Sequence, residues 1–293
     1  SGEMVKDKIL QAREYRHFRV TPRTPVIGGW IERFHLGDLN DESAEDLRDA
    51  LWHYEVLFAR KQHLSFDAMK AVSLAFGDSL ETHSYAPTMA DQGHPEVVII
   101  RKLQSEKAKT TTDIWHHDVT ARKHPNIMSI LQADQVPFGA DTMWSSMTSA
   151  YERLPDALKQ LFLDIDIDHD TLYLMLRHDF GDASMSPEKI AALGEANTHP
   201  AVIAHHATGK PCLFVGNGYV KRVHGYTSEI SELILKIANE MPKIPELQVR
   251  HQWEAGDVAI WDNFATCHDG VSADIGDQLR LLYRVAAWSE SVT

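Results

Sequence analysis

Two side chains of metal-ligand type, His116 and Asp118, stand two positions apart in the run Trp115-His116-His117-Asp118. In an extended segment side chains alternate between faces, so His116 and Asp118 point one way and His117 the other. One more histidine from elsewhere completes two imidazoles and a carboxylate on one face of an ion, the donor set of non-haem Fe(II) in oxygen chemistry. His268 is the candidate, because it follows Trp261-Asp262-Asn263 late in the chain, where a closing strand of a jelly roll can pair beside an early one. Arg280 and Arg284 then open the last apolar run, and on a strand their even separation puts both guanidiniums on one face, with Leu282 between them. Two arginines aimed inward are costly unless each meets an anion, so the pattern predicts two carboxylate-type groups in one pocket.

The elements that must position these residues read as many short strands with a few helices. Helical spacing of Leu47, Ala50, Leu51, Tyr54 and Leu57 follows Ser43, which reads as the N-cap with Asp46 at the capping-box position. Further helices are predicted over 65–76, over 155–163 with a proline in its first turn, and over 227–241, where Ile230, Leu233, Ile234 and Ile237 form the apolar stripe. Strands are predicted in pieces of 16–36, at 97–100, around His116, at 128–133, and after the Pro137 and Gly139 turn towards Trp144. Others fall at 201–205 and 211–215 as a hairpin, and at 247–253, 258–261 and 279–288. The polar stretch 104–113 reads as a loop at the mouth of the site. Residues 166–198, with His178, have weak periodicity and read as either an active-site lid or a disordered loop. With no repeat or linker, the expectation is one domain over 1–293, mainly β with flanking helices, arranged as an antiparallel double-sheet barrel.

The bulk numbers exclude some partners. A net charge of −13 over 293 residues argues against nucleic acid and anionic membranes, which reward excess lysine and arginine, and leaves a small molecule as the expected partner. The two cysteines, Cys212 and Cys267, make no disulfide framework, and with no signal peptide or membrane-length apolar run the expected location is cytoplasmic.

Four motifs in order carry a family resemblance. Trp-His-x-Asp-Val-Thr at 115–120, Gly-x-Asp-Thr-x-Trp at 139–144, Gly-Asp-Val-x-Ile-Trp-Asp-Asn-x-x-Thr-x-His at 256–268 and Arg-x-x-x-Arg at 280–284 together resemble the taurine dioxygenase and 2,4-D dioxygenase family of Fe(II)/2-oxoglutarate enzymes. The resemblance spans about residues 20 to 288 and implies a cupin-like jelly roll, the double-stranded β-helix. It implies His116, Asp118 and His268 as the Fe(II) triad, and Thr142 and Arg280 as the holders of the distal carboxylate of 2-oxoglutarate. Arg284 matches an arginine that in several members binds the acidic group of the substrate. His83 falls where taurine dioxygenase has a substrate-contacting histidine, but the neighbouring tyrosine is shifted, with Tyr85 and Ala86 here; Thr112 stands where that enzyme has an asparagine. These departures point away from taurine itself.

The implied reaction consumes O2 and 2-oxoglutarate, releases succinate and CO2, and hydroxylates a small, anionic organic substrate: a sulfonate, sulfate ester, aryloxyalkanoate or natural-product acid. The competing readings are a natural-product oxidase acting on a non-anionic substrate and a non-catalytic, cupin-like metal sensor. Arg280 with Thr142 discriminates against the sensor, which needs no cradle for a keto acid. Many relatives are homo-oligomers, but no stretch here predicts one.

Overall fold

Alternation along one late strand decides the architecture. In Val258–Asp262 (β16), Val258 and Ile260 face one way, Ala259 and Trp261 the other, and all are buried. A strand with two apolar faces must be covered on both sides. The computed structural model describes residues 9–102, 114–177, 188, 191, 194–271 and 275–292, and in it β16 lies inside a large sheet. That sheet runs Arg13–Glu14 (β1), Arg19–Pro22 (β2), Gly29–Glu32 (β3), Val56–Ala59 (β4), β16, Met128–Gln135 (β8), Arg280–Trp288 (β18), His94–Lys102 (β7) and Thr88–Met89 (β6). Ser79–Leu80 (β5) pairs with the far end of β18. The pairings are antiparallel apart from β3 with β4.

A second sheet, Gln248–His251 (β15), Thr142–Ser146 (β9) and Thr266–Gly270 (β17), faces the first. Phe58, Leu131, Trp261 and Leu282 of the large sheet interdigitate with Trp144 and Val249 of the small one. On the outer face, Leu57, Ile130, Ile260 and Val285 pack under helices Asp41–Tyr54 (α1) and Phe66–Leu74 (α2). This is the expected jelly roll, mainly β with helices outside.

A third layer covers one end. Asp166–Asp170 (β10) is flanked by Ala196–Pro200 (β11) and Val220–Val223 (β14), and Val202–Ala204 (β12) pairs with Pro211–Leu213 (β13). Helices Met147–Arg153 (α3), Asp156–Leu163 (α4) and Ser228–Glu240 (α6) share a core with them, and Thr171–Arg177 (α5) follows β10.

The structure corrects several local expectations. Asn40, not Ser43, caps α1: its side chain accepts the Ser43 N–H while Ser43 Oγ accepts the Asn40 N–H, each at 2.9 Å. Leu57 belongs to β4, because the left-handed backbone of Glu55, φ 67°, ends the helix. On α6, Ile234, Leu235 and Ala238 are buried, whereas Ile230 and Leu233 are 49% and 68% exposed. The stripe is rotated because Ser231 turns inward to accept the Val223 N–H at 2.8 Å. The stretch 166–198 begins as a regular strand whose inward residues are Ile167 and His169, a pairing that hydrophobic periodicity does not detect. His178 and the rest of 178–193 apart from 188 and 191, like the loop at 104–113, lie outside the described residues. Among the described residues no helix is long and apolar enough to cross a membrane.

Glu55 carries a testable consequence. Its side chain is buried and accepts a hydrogen bond from the Thr148 hydroxyl, and burial pushes its pKa from 4.5 up to about 7. Between those values the folded chain keeps a proton that the unfolded chain has released, so stability is full below pH 4.5 and is lost as pH rises through 7. Glu55→Gln, which cannot ionise, is expected to gain ~3 kcal/mol relative to the parent on going from pH 4 to pH 8. Paired urea unfolding curves at the two pH values measure this, and a pH-independent difference refutes it.

Candidate metal centre and its cavity

His268 sits mid-way along β17, and the isolated bridge between His116 and His268 stitches the early segment to it through reciprocal backbone hydrogen bonds of 3.0 and 2.9 Å. His116 is therefore a single extended residue rather than part of a strand. The chain turns at once through Val119, φ 44°, which folds the Asp118 carboxylate back beside both imidazoles. Asp118 Oδ1 lies 3.4 Å from His116 Nε2 and 3.6 Å from His268 Nε2. The three candidate ligand atoms all fall within 4.8 Å of one another.

Neighbouring groups hold this geometry. His116 Nδ1 donates to the Ile114 carbonyl, which fixes the tautomer and leaves Nε2 with a lone pair facing inward. Asp118 Oδ2 accepts from Arg284 Nη1 at 2.8 Å and from Ser129 Oγ at 3.1 Å, so Oδ1 is the oxygen left to face the histidines. Asn263 grips the same residue by its backbone: its Oδ1 accepts the Asp118 N–H at 2.8 Å, and its Nδ2 donates to the Asp118 carbonyl at 2.9 Å. His117 points the other way, as alternation requires, with Nδ1 donating to the Asn263 carbonyl and its ring against Phe214.

Charge favours the ligating forms of His268 and Asp118. Burial and the nearby His116 push His268 down to about 3. Burial raises the Asp118 carboxyl, but the Arg284 guanidinium and the two imidazoles outweigh it and hold Asp118 well below the usual carboxylate range. Burial opposes protonation of His116, yet the hydrogen bond and charge of Asp118 prevail and raise it. Two imidazole nitrogens and a carboxylate oxygen, buried and convergent, fit a divalent ion of borderline softness such as Fe(II).

Glycines keep the roof close. A Cβ on Gly218 would come within 2.8 Å of the His116 Cβ, with no flexible side chain to yield. Gly218→Ala is therefore expected to shift His116 and lower metal affinity ~10–100-fold; equilibrium dialysis with Fe(II) or Co(II) checks this, and unchanged affinity refutes it.

The centre opens into a cavity of about 360 Å3. At one side Thr142 Oγ accepts from Trp253 Nε1 at 2.9 Å and from Arg280 Nη2 at 3.3 Å. With both lone pairs engaged, the hydroxyl has only its proton left to give, which suits a carboxylate lying beside Arg280. Arg280 is 7% exposed, so its guanidinium is inside the cavity wall rather than on the surface, and Asp274 lies outside the described residues. Arg284 does not pair with Asp262, which instead meets His205 at 2.8 Å; it donates to Asp118 and, through Nη2, to Glu81 at 2.8 Å.

His83 and Tyr85 line the cavity with their rings edge to face at 4.3 Å. Burial lowers His83 to about 4, so it is a neutral hydrogen-bonding group there. The Tyr85 hydroxyl meets that of Tyr219 at 2.5 Å. Thr112 lies outside the described residues.

Sequence reasoning misses five residues of this neighbourhood, Glu81 among them. Tyr219 and Ser129 have no motif signal. Trp253 reads only as a strand end, and its contact with Thr142 follows from the register His251 to Thr142. Asn263 lies within a quoted motif, where an asparagine just after a strand could have been read as a backbone clamp.

A jelly roll with this donor set and cavity defines a non-haem iron oxygenase of the 2-oxo-acid type. Comparison with known proteins gives the family: the model of the taurine catabolism dioxygenase TauD, TfdA family matches residues 19–286, and the chain belongs to that family. An alkylsulfatase of Acinetobacter baylyi is 34% identical over 283 residues, covering 92% of this chain and 84% of the relative. An alpha-ketoglutarate-dependent sulfate ester dioxygenase of Pseudomonas putida is 30% identical, covering 92% and 89%. A solved taurine dioxygenase from Burkholderia xenovorans superposes with a TM-score of 0.75 at 31% identity, covering 93% of this chain and 91% of that one. The protein is thus a 2-oxoglutarate-dependent dioxygenase that uses Fe(II), 2-oxoglutarate and O2, which sets aside the metal-sensor reading.

Proposed function

We propose that the protein cleaves small alkyl sulfate esters oxidatively, with His116, Asp118 and His268 holding Fe(II). Thr142 and Arg280 take the distal carboxylate of 2-oxoglutarate, and Arg284, His83 and Tyr85 frame the place of the ester's head. The observation that carries this reading is a single cavity in which the triad, two buried arginines and an apolar wall of Pro87, Val98, Ile100, Ile114, Leu174 and Met175 come together. A charged head on an alkyl tail matches such a lining. The two sulfate-ester relatives, aligned over 92% of this chain, support the same substrate class.

Bound Fe(II), with 2-oxoglutarate and O2, supplies the oxidant that hydroxylates a substrate carbon while the keto acid is split to succinate and CO2. The chain's own residues do the rest. Ser129, Arg284 and Asn263 keep Asp118 in one orientation, and the apolar wall excludes water and aims the carbon that bears the ester oxygen at the open side of the centre. Hydroxylation there converts C–H to C–OH; the hydroxyl then loses its proton, the C–O bond to sulfate breaks, and an aldehyde and sulfate leave.

Incubation with Fe(II), 2-oxoglutarate and a series of linear alkyl sulfates, alkyl sulfonates and aryloxyalkanoates tests the proposal. Equimolar succinate and inorganic sulfate from the alkyl sulfates are expected. If no sulfate ester raises succinate above the uncoupled background, the substrate assignment fails.

A further inference from the structure

Arg284 is not a free anion anchor. It is 5% exposed, and its two terminal nitrogens already donate to carboxylates, Nη1 to Asp118 and Nη2 to Glu81, each at 2.8 Å. Asp118 also faces the metal centre, so its charge is shared. The charge of Glu81, which is 1% exposed, is not shared in that way. Its Oε2 accepts from Arg284 and, at 3.0 Å, from Asn126 Nδ2. Its other oxygen has no hydrogen-bond partner and lies 3.7 Å from Arg122 Nη2 and 3.9 Å from His83 Nε2. Arg122 in turn serves Glu195 at 3.4 Å and the Thr82 carbonyl at 3.1 Å, so it does not cancel Glu81 alone. The backbone pins Glu81 there, because its N–H donates to the Ala286 carbonyl beside the β5 pairing on β18.

A carboxylate in this place neutralises the arginine that an incoming anion would use. Arg284, Asp118 and Glu81 sum to one negative charge. Fe(II), doubly ionised 2-oxoglutarate and Arg280 add one positive charge, so these six groups sum to zero before any substrate arrives, and the remaining lining cations, Arg101 and Lys102, stand at the Arg280 end of the cavity rather than beside Arg284. An anionic head must then compete with Glu81 for Arg284 in a region of low dielectric. A neutral polar head carries no such cost.

We propose that Glu81 is a positioning residue for Arg284 that sets the charge selectivity of the head-group pocket, so that the protein takes neutral polar heads nearly as well as anionic ones. The inference rests on the proposed placement of Arg284 at the substrate's head, and it extends the substrate range from sulfate esters to uncharged analogues of the same shape.

The test is anaerobic calorimetric titration of the Fe(II)- and 2-oxoglutarate-loaded protein with hexyl sulfate and with its neutral isostere, heptyl methyl sulfone, in which CH2 replaces the ester oxygen. In the parent the two dissociation constants are expected to agree within about threefold. Glu81→Gln keeps an oxygen for Arg284 and Asn126 but removes the charge; it should tighten hexyl sulfate ~10-fold and leave the sulfone unchanged. Glu81→Asp, which keeps the charge, should keep the parent's ratio.

A parent that prefers the sulfate 100-fold or more overturns the proposal, and does so without any variant. So does a Glu81→Asp ratio that moves as far as that of Glu81→Gln, because the effect is then one of packing. Binding is read without turnover, so hexyl sulfate that binds as expected but releases no sulfate sinks the proposed reaction and leaves the role of Glu81 standing.

Discussion

Asp118→Ala is expected to abolish succinate formation, with a fall on the order of 1000-fold or more, because it removes one of three proposed ligands and disturbs what surrounds the other two. The carboxylate does three things at once in this fold. It offers Oδ1 to the centre, it accepts Arg284 and Ser129 on Oδ2, and it is the negative partner of His116. Its removal leaves Arg284 Nη1 and Ser129 Oγ without their acceptor, in a place where burial makes an unsatisfied donor expensive. Some loss of stability therefore accompanies the loss of the ligand, and the readout must separate the two.

Anaerobic mixing of protein, Fe(II) and 2-oxoglutarate should give the parent a weak visible charge-transfer band and the variant none, at a temperature where circular dichroism shows both folded. His117→Ala is the matched control. That ring sits one residue away but faces Phe214 and the Asn263 carbonyl, so the band should persist. A folded Asp118→Ala protein that keeps the band, or that still releases succinate, overturns the ligand assignment.

What can be read from the sequence and what cannot divide along a physical line. His116, Asp118 and His117 are legible because alternation is a local property of an extended chain, and it holds even where the strand is only one bridge long. The parity of Arg280, Leu282 and Arg284 is legible for the same reason: Leu282 packs between the sheets, and both arginines line the cavity on that side. The partners of those arginines are not legible. Glu81 reaches Arg284 only because β5 pairs with the far end of β18, and Trp253 reaches Thr142 only through the register of β15 on β9.

Register is a tertiary quantity, set by many weak pairings at once, and it leaves no mark on the residues it brings together. The helix errors have the same origin. Ser231 is polar and buried because one backbone N–H of β14 needs an acceptor, and periodicity alone assigns that face to Ile230 and Leu233.

Arg280→Ala gives the second large expected effect, and it is an effect on affinity rather than on rate. The guanidinium is buried at the opening end of β18 and donates to Thr142 Oγ at 3.3 Å. That hydroxyl also accepts from Trp253, so the only proton it can offer points away from both donors. A carboxylate set there would receive one neutral hydrogen bond from Thr142 and the charge of Arg280. Charge-assisted hydrogen bonds contribute about 1.5–3 kcal/mol each, so loss of the guanidinium should raise the 2-oxoglutarate KM roughly 100-fold. At saturating 2-oxoglutarate, kcat should return to within a few-fold of the parent, because the triad is held by Ser129, Arg284 and Asn263, which the substitution leaves in place.

Arg284→Ala should behave in the opposite way. It takes a donor from Asp118 Oδ2, so metal affinity should fall ~10–100-fold while the dependence on 2-oxoglutarate stays close to that of the parent. Titrations of 2-oxoglutarate and of Fe(II) on both variants separate the two arginines. An Arg280→Ala protein with an unchanged 2-oxoglutarate KM, or an Arg284→Ala protein in which that KM rises instead, would reverse their assignments and require the keto acid to lie in the other half of the cavity.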